Sequence, residues 1–187
     1  IVDGGDGWDT AKYYEAPSGI TVDLGAGTVS GGYGNDTLSN IEEVRGSEHD
    51  DVLSASDDGN TLDGRGGDDR IVGGVGDDTL RGGDGDDTLV DGGGKDTFYG
   101  EGGADKFVFT SKDGATRFLR NDEQYWGDEL HGFTSGEDKI IFEGMEGIAY
   151  SGTVYALEGG DPWTVPPAAI DADTSIVDEV VFFVDND

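Results

Sequence analysis

Cysteine is absent from this chain of 187 residues, so no disulfide can hold its fold together. Basic residues are scarce as well, because 11 lysines and arginines face 42 acidic residues and leave a net charge of −31. A chain this acidic repels nucleic acid and anionic membranes, so we expect neither as a partner. The sequence also lacks an apolar stretch long enough to span a membrane. Some force other than disulfides must therefore stabilise the fold.

Sequence signatures of common enzymes are missing too. The chain has two histidines, His49 and His131, but no HExxH, no GxSxG and no cysteine nucleophile. Each histidine is better explained as a turn residue than as a ligand, and acidic pairs are so frequent that none stands out as an acid and base. We therefore predict that this stretch of protein is not itself catalytic.

Glycine, by contrast, is abundant, with 35 residues, and it recurs with a period of nine. Between residues 46 and 108 the chain divides into seven consecutive nonapeptides, of which GGVGDDTLR (73–81) and GGDGDDTLV (82–90) are the most regular. Position six is occupied by Asp51, Asn60, Asp69, Asp78, Asp87, Asp96 and Asp105. Position eight is occupied by Leu53, Leu62, Ile71, Leu80, Leu89, Phe98 and Phe107. So strict a period predicts one structural unit repeated along the chain.

The spacing of these residues predicts the geometry of the unit. One large apolar side chain per repeat indicates a strand of about three residues, and the other six residues must turn. Glycine at position four permits the positive φ of a tight reversal, at Gly67, Gly76, Gly85, Gly94 and Gly103. Alternating strands and turns then place two repeats in each circuit, and each repeat stacks on the one two places later. All position-eight side chains should point into one narrow core.

Stacking has an electrostatic consequence for the acidic residues at position six. Their carboxylates would lie about 4.8 Å apart along each edge and would repel one another if left bare. Residues 46–108 contain 17 acidic and 5 basic side chains, a net charge of −12. Ca²⁺ accepts six or more oxygens, and glycine-rich turns can supply backbone carbonyls beside the carboxylates. Seven repeats form five stacked pairs, so we predict about five Ca²⁺ ions, and disorder without them.

The repeated pattern GGxGxDxUx resembles the signature of the RTX (repeats-in-toxin, haemolysin-type) calcium-binding repeat family. Residues 73–81 and 82–90 match it at every defined position. The resemblance implies an all-β fold, a right-handed parallel β-roll with a cap at each end. It also implies that position-six carboxylates and turn carbonyls bind calcium between stacked turns. The metal ligands implied in this way are Asp9, Asp36, Asp51, Gly64, Gly66, Asp69, Gly73, Gly74, Val75, Gly76, Asp78, Gly82, Gly83, Asp84, Gly85, Asp87, Gly92, Gly93, Gly94, Asp96, Gly102, Gly103 and Asp105.

The first two repeats depart from this pattern. Asn60 lacks the charge of the other position-six residues, and four turn positions that favour glycine carry other residues. Those substitutes are Ser47, His49, Ser56 and Asp58. We therefore expect calcium sites in residues 46–63 to be weak or absent.

We expect three parts along the chain: an N-terminal cap and first coil (1–45), the β-roll (46–108) and a C-terminal cap (109–187). In the first part, Gly4 to Lys12 and Gly31 to Ser39 each resemble a repeat, Ile20 to Leu24 alternates like a strand that leads into a turn, and residues 40–45 predict a longer strand with Ile41 and Val44.

In the last part, residues 128–144 resemble the segment that closes many RTX rolls. Asp138 there is explained equally well as a calcium ligand or as a solvated turn residue before a strand. Residues 148–157 and 177–184 predict further strands, and the final VVFFVDND fits either a secretion signal or a last cap strand. Solenoid ends expose core and unpaired backbone, so capping is the expected role of this region.

The resemblance implies a calcium-binding module of a secreted bacterial protein. Such a module folds on binding calcium outside the cell and supports type I secretion and the stability of its parent protein. Because the chain opens with Ile1 rather than Met, we expect it to be a piece of a longer product, with other domains of the parent upstream as partners.

Two alternatives stay open. The chain could be the accessory module of a secreted hydrolase or epimerase, binding extracellular polysaccharide or steadying the catalytic domain. Aromatic residues in the last part, namely Tyr125, Trp126, Tyr155 and Trp163, would suit sugar stacking, although cap aromatics are more often core. An adhesin would need a flat array of exposed threonines, and position seven offers Thr79, Thr88 and Thr97.

Overall fold

The computed structural model describes residues 1–32, 34–110, 128–134, 137–143, 170–172 and 184–185. These residues form 17 short strands joined by turns, and they include no helix. Nor does this part of the chain contain a helix suited to crossing a membrane. The strands are β1 (Val2–Asp3), β2 (Thr10–Lys12), β3 (Ile20–Asp23), β4 (Thr28–Gly31), β5 (Asp36–Ser39), β6 (Glu43–Arg45), β7 (Val52–Ser54), β8 (Thr61–Gly66), β9 (Arg70–Val72), β10 (Thr79–Asp84), β11 (Thr88–Val90), β12 (Thr97–Gly102), β13 (Lys106–Thr110), β14 (Glu129–His131), β15 (Lys139–Glu143), β16 (Ile170–Ala172) and β17 (Val184–Asp185).

The strands are divided between two sheets. The first sheet has the order β1-β5-β4-β3-β7-β9-β11-β13-β15-β16, and the second has the order β17-β14-β12-β10-β8-β6-β2. Successive nonapeptides alternate between the sheets, and every pair from β7 to β15 on the first sheet and from β6 to β14 on the second is parallel. The prediction of an all-β parallel β-roll is therefore confirmed.

The register confirms that each repeat stacks on the one two places later. Leu80 of β10 pairs with Leu62 of β8 on one side and with Phe98 of β12 on the other, each 18 residues away. On the first sheet Leu89 occupies the same place between Ile71 and Phe107. One coil is thus two nonapeptides, as the period of nine requires.

The core is a single column of apolar side chains between the sheets. Every position-eight residue from Leu53 to Phe107 is fully buried. The column continues in both directions, to Val44 on one side and to Leu130 and Ile140 on the other. Within it, the rings of Phe98 and Phe107 pack edge to face, with centroids 6.3 Å apart and planes at 88°. The predicted narrow core is therefore present.

Strand length differs from the prediction on the second sheet. Strands β7, β9 and β11 have the expected three residues, whereas β8, β10 and β12 have six. The longer strands arise because pairing continues into the turn, where Gly83 lies beside Arg65 and Glu101. Of the five position-four glycines, all but Gly76 have the positive φ that was predicted.

The N-terminal region is less regular than its sequence suggests. Strand β3 forms an antiparallel hairpin with β4, and β5 returns antiparallel to β4. Strand β6 is short rather than long: Val44 lies in it, whereas Ile41 is buried just before it. The first sheet therefore starts with the parallel pair β1 and β5, is antiparallel from β5 through β4 to β3, and becomes parallel again where β7 joins β3.

Both stacks continue beyond the last regular repeat. Strand β14 pairs with β12, and β15 pairs with β13, in the same parallel sense. Strands β16 and β17 then pair with β15 and β14. The predicted strand at 148–157 lies outside the described residues, and so does that at 177–184 except for Val184.

Two adjacent residues of β7 test the division between core and surface. Leu53 is fully buried, whereas Val52 is 39% exposed on the opposite face. We expect Leu53→Ala to lower the free energy of unfolding by about 2 to 5 kcal/mol, because it leaves a cavity in the column. Val52→Ala should cost less than about 1 kcal/mol. Denaturant unfolding in saturating calcium measures both, and equal losses would contradict this arrangement.

Candidate calcium sites in the stacked turns

The turns of alternate repeats form two files, one along each edge of the roll. We call the file that runs through Asp51, Asp69, Asp87, Asp105 and Asp138 the first edge. The second edge runs through Asp9, Glu42, Asn60, Asp78, Asp96 and Asp128. These residues are held in line by main-chain bonds between coils, such as Thr88 N–H to Asp69 O at 2.8 Å and Thr97 N–H to Asp78 O at 2.8 Å. The structure therefore brings the position-six residues together as the spacing predicts.

One oxygen of each position-six carboxylate ties its coil to the preceding coil. On the first edge Asp87 Oδ1 accepts the N–H of Asp69 at 2.8 Å, and Asp105 Oδ1 accepts that of Asp87 at 3.0 Å. On the second edge Asp96 Oδ1 accepts the N–H of Asp78 at 2.8 Å. Each bond joins equivalent residues 18 positions apart. The carboxylates are therefore part of the stacking.

The other oxygen of four of these carboxylates is left without a donor. The Oδ2 atoms of Asp69, Asp87, Asp96 and Asp105 are buried and accept no hydrogen bond from the described residues. Asp9 Oδ2 on the second edge is in the same state. A buried carboxylate oxygen without a partner is costly, and a cation is the usual remedy when several lie in one file.

Backbone carbonyls of one coil lie close to the glycines of the next turn along the same edge. A Cβ on Gly94 would come within 2.5 Å of Gly76 O and 2.9 Å of Val75 O, and one on Gly92 would come within 2.6 Å of Gly73 O. At Gly64, Gly82 and Gly100 the added Cβ would overlap the Oδ2 of the position-six carboxylate in the same turn. Only glycine leaves these oxygens room. Carboxylate and carbonyl oxygens in this density are the ligand set that Ca²⁺ prefers, so the residues present fit the ion.

In the first two repeats a serine of the same turn hydrogen-bonds to the position-six side chain. Asp51 Oδ2 accepts the N–H of Ser47 at 2.6 Å, and Asp51 Oδ1 accepts its hydroxyl at 2.9 Å. In the next turn Asn60 Oδ1 accepts both the N–H and the hydroxyl of Ser56 at 2.8 Å. Serine thus occupies the oxygens that a cation would use, which supports the expectation of weak or absent sites here.

Asp78 belongs to a regular repeat, but both of its carboxylate oxygens accept hydrogen bonds, as those of Asp51 do. Its Oδ2 accepts the N–H of Gly74 at 2.7 Å, and its Oδ1 accepts that of Asn60 at 2.7 Å. A repeat that matches the pattern at every defined position can therefore have both carboxylate oxygens of its position-six residue hydrogen-bonded.

The remaining predicted site residues are spread over several environments. Asp36 begins β5 and pairs with Val29 in an antiparallel register, so it joins neither file. Gly66 and Gly102 have room for a Cβ, with the nearest atoms at 3.3 and 3.5 Å. Val75 and Asp84 have exposed side chains. The Val75 carbonyl faces Gly94, whereas Asp84 approaches Gly66 with its carbonyl and Gly102 with Oδ1. Gly83, Gly85, Gly93 and Gly103 have positive φ.

Two acids outside the predicted set of metal ligands continue the two files: Asp128, which was not predicted as a ligand, and Asp138, for which a calcium ligand was one of two open alternatives. Asp138, for which a solvated turn was an open alternative, is buried, with Oδ1 accepting the N–H of Asp105 and Oδ2 that of Thr134. Asp128 Oδ1 accepts the N–H of Asp96 at 2.9 Å, so it takes the next place on the second edge. The available signal was spacing: Asp128 and Asp138 each precede an apolar residue by two positions, as position six precedes position eight.

Position five carries a second hydrogen-bond ladder that was not predicted. Asp68 Oδ1 accepts the N–H of Asp86 at 3.0 Å, and Asp86 Oδ1 accepts that of Ala104 at 2.9 Å. These bonds point to the following coil, opposite to those of position six. The exposed acids at this position therefore also tie the coils together.

The structure describes His131 and the position-seven threonines, but not the aromatic residues considered for sugar binding. His131 lies in β14 rather than in a turn, and its ring stacks on Tyr99 with centroids 4.6 Å apart. The threonines proposed for an adhesin do not share a face, because Thr79 and Thr97 are on the second sheet and Thr88 is on the first. Tyr125, Trp126, Tyr155 and Trp163 lie outside the described residues.

Burial without a counter-ion changes the acidity of the position-six carboxyls. On the first edge it raises the pKa of Asp69 to about 8, of Asp87 to about 7 and of Asp105 to about 6. On the second edge it raises the pKa of Asp78 to about 6, of Asp96 to about 9 and of Asp128 to about 7. Desolvation is the main cause, and neighbouring carboxylates add to it. Burial of these carboxyls therefore disfavours the charged form, which a cation would stabilise.

Parallel coils with carboxylates and carbonyls along both edges define a cation-binding solenoid, and comparison with known proteins gives the family. A family model described as "RTX calcium-binding nonapeptide repeat (4 copies)" matches residues 22–39, 45–80 and 72–107. Residues 22–39 and 45–107 therefore carry RTX calcium-binding nonapeptide repeats. No curated protein matches the chain. A repeat of this kind is a structural calcium-binding element and not a catalytic one.

Two glycines of one turn test the need for space beside the carboxylate. A Cβ on Gly100 would overlap Asp105 Oδ2 and lie 2.9 Å from the Phe107 ring, whereas one on Gly102 would meet nothing within 3.5 Å. We expect Gly100→Ala to lower stability in calcium by about 1 to 3 kcal/mol. Gly102→Ala should change it by no more than about 0.5 kcal/mol. Thermal unfolding in calcium compares the two, and matching effects would argue against a steric role for position one.

The raised pKa values predict how the metal-free protein responds to pH. Because these carboxyls have pKa values of about 6 to 9 when folded and about 3.9 when unfolded, the folded state binds more protons between those limits. Their contribution to stability is therefore complete below about pH 4 and is lost as pH rises through the folded pKa values.

We expect metal-free protein to show more β-structure at pH 5 than at pH 9, and calcium to remove that difference. Far-UV circular dichroism of chelator-stripped protein, with and without added calcium, measures this. A metal-free fold that is more ordered at pH 9 would contradict the burial of uncompensated carboxylates.

Proposed function

We propose that this chain is a calcium-folded RTX module of a secreted bacterial protein. It stays unfolded where calcium is scarce, folds outside the cell, and supports type I secretion and the stability of its parent protein. The observation that carries this proposal is the set of buried Oδ2 atoms at Asp69, Asp87, Asp96 and Asp105, which no donor in the described part of the chain satisfies. Each of these atoms is a buried carboxylate oxygen at position six of its repeat, so the same requirement for a cation recurs along the roll.

Calcium supplies what this fold otherwise lacks. The chain has no cysteine, so it must be stabilised outside the cell without disulfides. At free calcium about ten times the dissociation constant, each ion adds roughly 1.4 kcal/mol, and five ions add roughly 7 kcal/mol. That amount is comparable to the net stability of an ordinary domain, about 5 to 15 kcal/mol. Bound calcium can therefore decide whether the module folds.

The same dependence provides a reason for folding only after export. Extracellular calcium modules bind with dissociation constants of about 10⁻⁴ to 10⁻³ M, well above the range of cytosolic calcium sensors. A chain with so many uncompensated acids would remain extended in the cytosol and pass through a secretion channel unfolded. Calcium outside the cell would then drive folding in one direction.

A calcium titration tests this proposal. We expect far-UV circular dichroism to change from disordered to β as calcium rises, with a midpoint of about 10⁻⁴ to 10⁻³ M, and to reverse with EGTA. Asp87→Asn should move the midpoint to higher calcium, because Asp87 is fully buried and its Oδ2 has no donor among the described residues.

Asp57→Asn is the matched control, because the substitution removes the same charge from a turn and Asp57 is exposed. It should leave the midpoint nearly unchanged. Full β-structure and unchanged heat resistance in excess EGTA at neutral pH would refute the proposal, and so would an equal response of the two variants.

A further inference from the structure

The second edge ends in a cluster of three buried carboxylates that the regular repeats do not have. Asp91, Asp96 and Asp128 are 4%, 0% and 5% exposed. One oxygen from each lies within 4.8 Å of the others. Asp96 Oδ2 is fully buried and accepts no hydrogen bond within the described part of the chain. A buried carboxylate oxygen that accepts no hydrogen bond there, close to two further carboxylates, calls for a cation.

Asp91 makes this cluster different from every other turn. It occupies position one of its repeat, where the sequence elsewhere has Gly46, Ala55, Gly64, Gly73, Gly82 and Gly100. At most of those glycines an added Cβ would overlap the position-six oxygen or approach it closely. In this repeat a carboxylate stands there instead. Its Oδ2 accepts the N–H of Thr110 at 3.4 Å, and one of its carboxylate oxygens lies within 4.8 Å of oxygens of Asp96 and Asp128.

Asp128 adds a ligand from another part of the chain. Its Oδ1 accepts the N–H of Asp96 at 2.9 Å, and the N–H of Glu129 donates to Asp96 O at 2.7 Å. Strand β14, which follows it, pairs with β12. The nearby cation Lys95 binds Glu129 Oε1 at 2.6 Å. A metal held by the three carboxylates would therefore bridge the repeat array and the strand that extends it.

The corresponding end of the first edge has a different arrangement. There Asp138 Oδ2 accepts the N–H of Thr134 at 2.7 Å, so the last carboxylate is satisfied by its own turn. Position one of that last repeat is Gly100, which brings no additional acid. The two edges therefore differ in the number of carboxylates at this end of the roll, three on the second edge against two on the first.

We propose that Asp91, Asp96 and Asp128 form a distinct three-carboxylate calcium site that fastens strand β14 to the roll. Ligand charge and number set the affinity of oxygen sites for calcium, so this site binds more tightly than those with one position-six carboxylate per turn. It is the first site to fill and the last to be stripped by a chelator. This inference rests on the proposed function, because it takes calcium as the ion.

Calcium stoichiometry and affinity by native mass spectrometry and calorimetry test the site in the full chain. We expect Asp91→Asn and Asp128→Asn each to weaken the tightest site by about tenfold or more while the other sites remain. Asp57→Asn is the charge-matched control on an exposed turn of the same edge. Hydrogen exchange provides a structural readout: the amides of residues 129–131 should lose protection in the first two variants at low calcium.

The outcomes separate this inference from the proposed function. If the wild-type chain binds no calcium, the proposed function fails and this inference with it. If calcium binds but Asp91→Asn and Asp128→Asn behave like Asp57→Asn, only the three-carboxylate site is refuted.

Should either variant fail to fold, crystals of the wild-type chain soaked in Tb³⁺ decide the question. An anomalous peak among Asp91, Asp96 and Asp128 supports the site, and peaks confined to the other turns overturn it.

Discussion

The position-six carboxylate is the group on which the rest of this structure depends. Through Oδ1 it accepts a main-chain N–H from the preceding coil, as Asp87 does from Asp69, and it thereby adds a side-chain bond to the main-chain pairing of the coils. Through Oδ2 it leaves a buried negative oxygen that, at four positions, no donor in the described residues satisfies. Stacking and the need for a cation are therefore two consequences of one side chain. Calcium is a component of such a fold because the hydrogen bonds that build the coils also bury their charge.

Glycine is required because the coils are so close. The turns bring carbonyl oxygens of one coil against the Cα of the next, as Gly76 O lies against Gly94, and any side chain would occupy the space of the ligand oxygens. At position two, Arg65 and Glu101 replace glycine in two repeats. Their backbone is strained, because their φ angles of 82° and 71° lie in a region that L-residues rarely adopt. The serines of the first repeats solve the problem differently, by hydrogen-bonding the carboxylate or amide directly.

The ends of the array obey the same rules with other sequences. Asp128 and Asp138 take the place of position six, and Leu130 and Ile140 that of position eight, although no glycine-rich turn of the repeat type precedes them in sequence. The module is thus extended by residues that satisfy its hydrogen-bond and core requirements rather than by further copies of the nonapeptide. Because these requirements are local to one coil, the roll tolerates a change of sequence at its border.

The nonapeptide period by itself determined the parallel roll, the 18-residue stacking and the buried column from Leu53 to Phe107, because each repeat has one place for its apolar side chain and one for its acid. The tertiary structure alone decided which carboxylates keep an oxygen without a donor. Asp69 and Asp78 occupy the same sequence position, yet Asp78 Oδ2 accepts the N–H of Gly74 and Asp69 Oδ2 accepts none from the described residues. Likewise, only the fold brings Asp128 beside Asp91 and Asp96. Sequence spacing cannot specify such differences, because they depend on small changes of turn backbone and on contacts between distant segments.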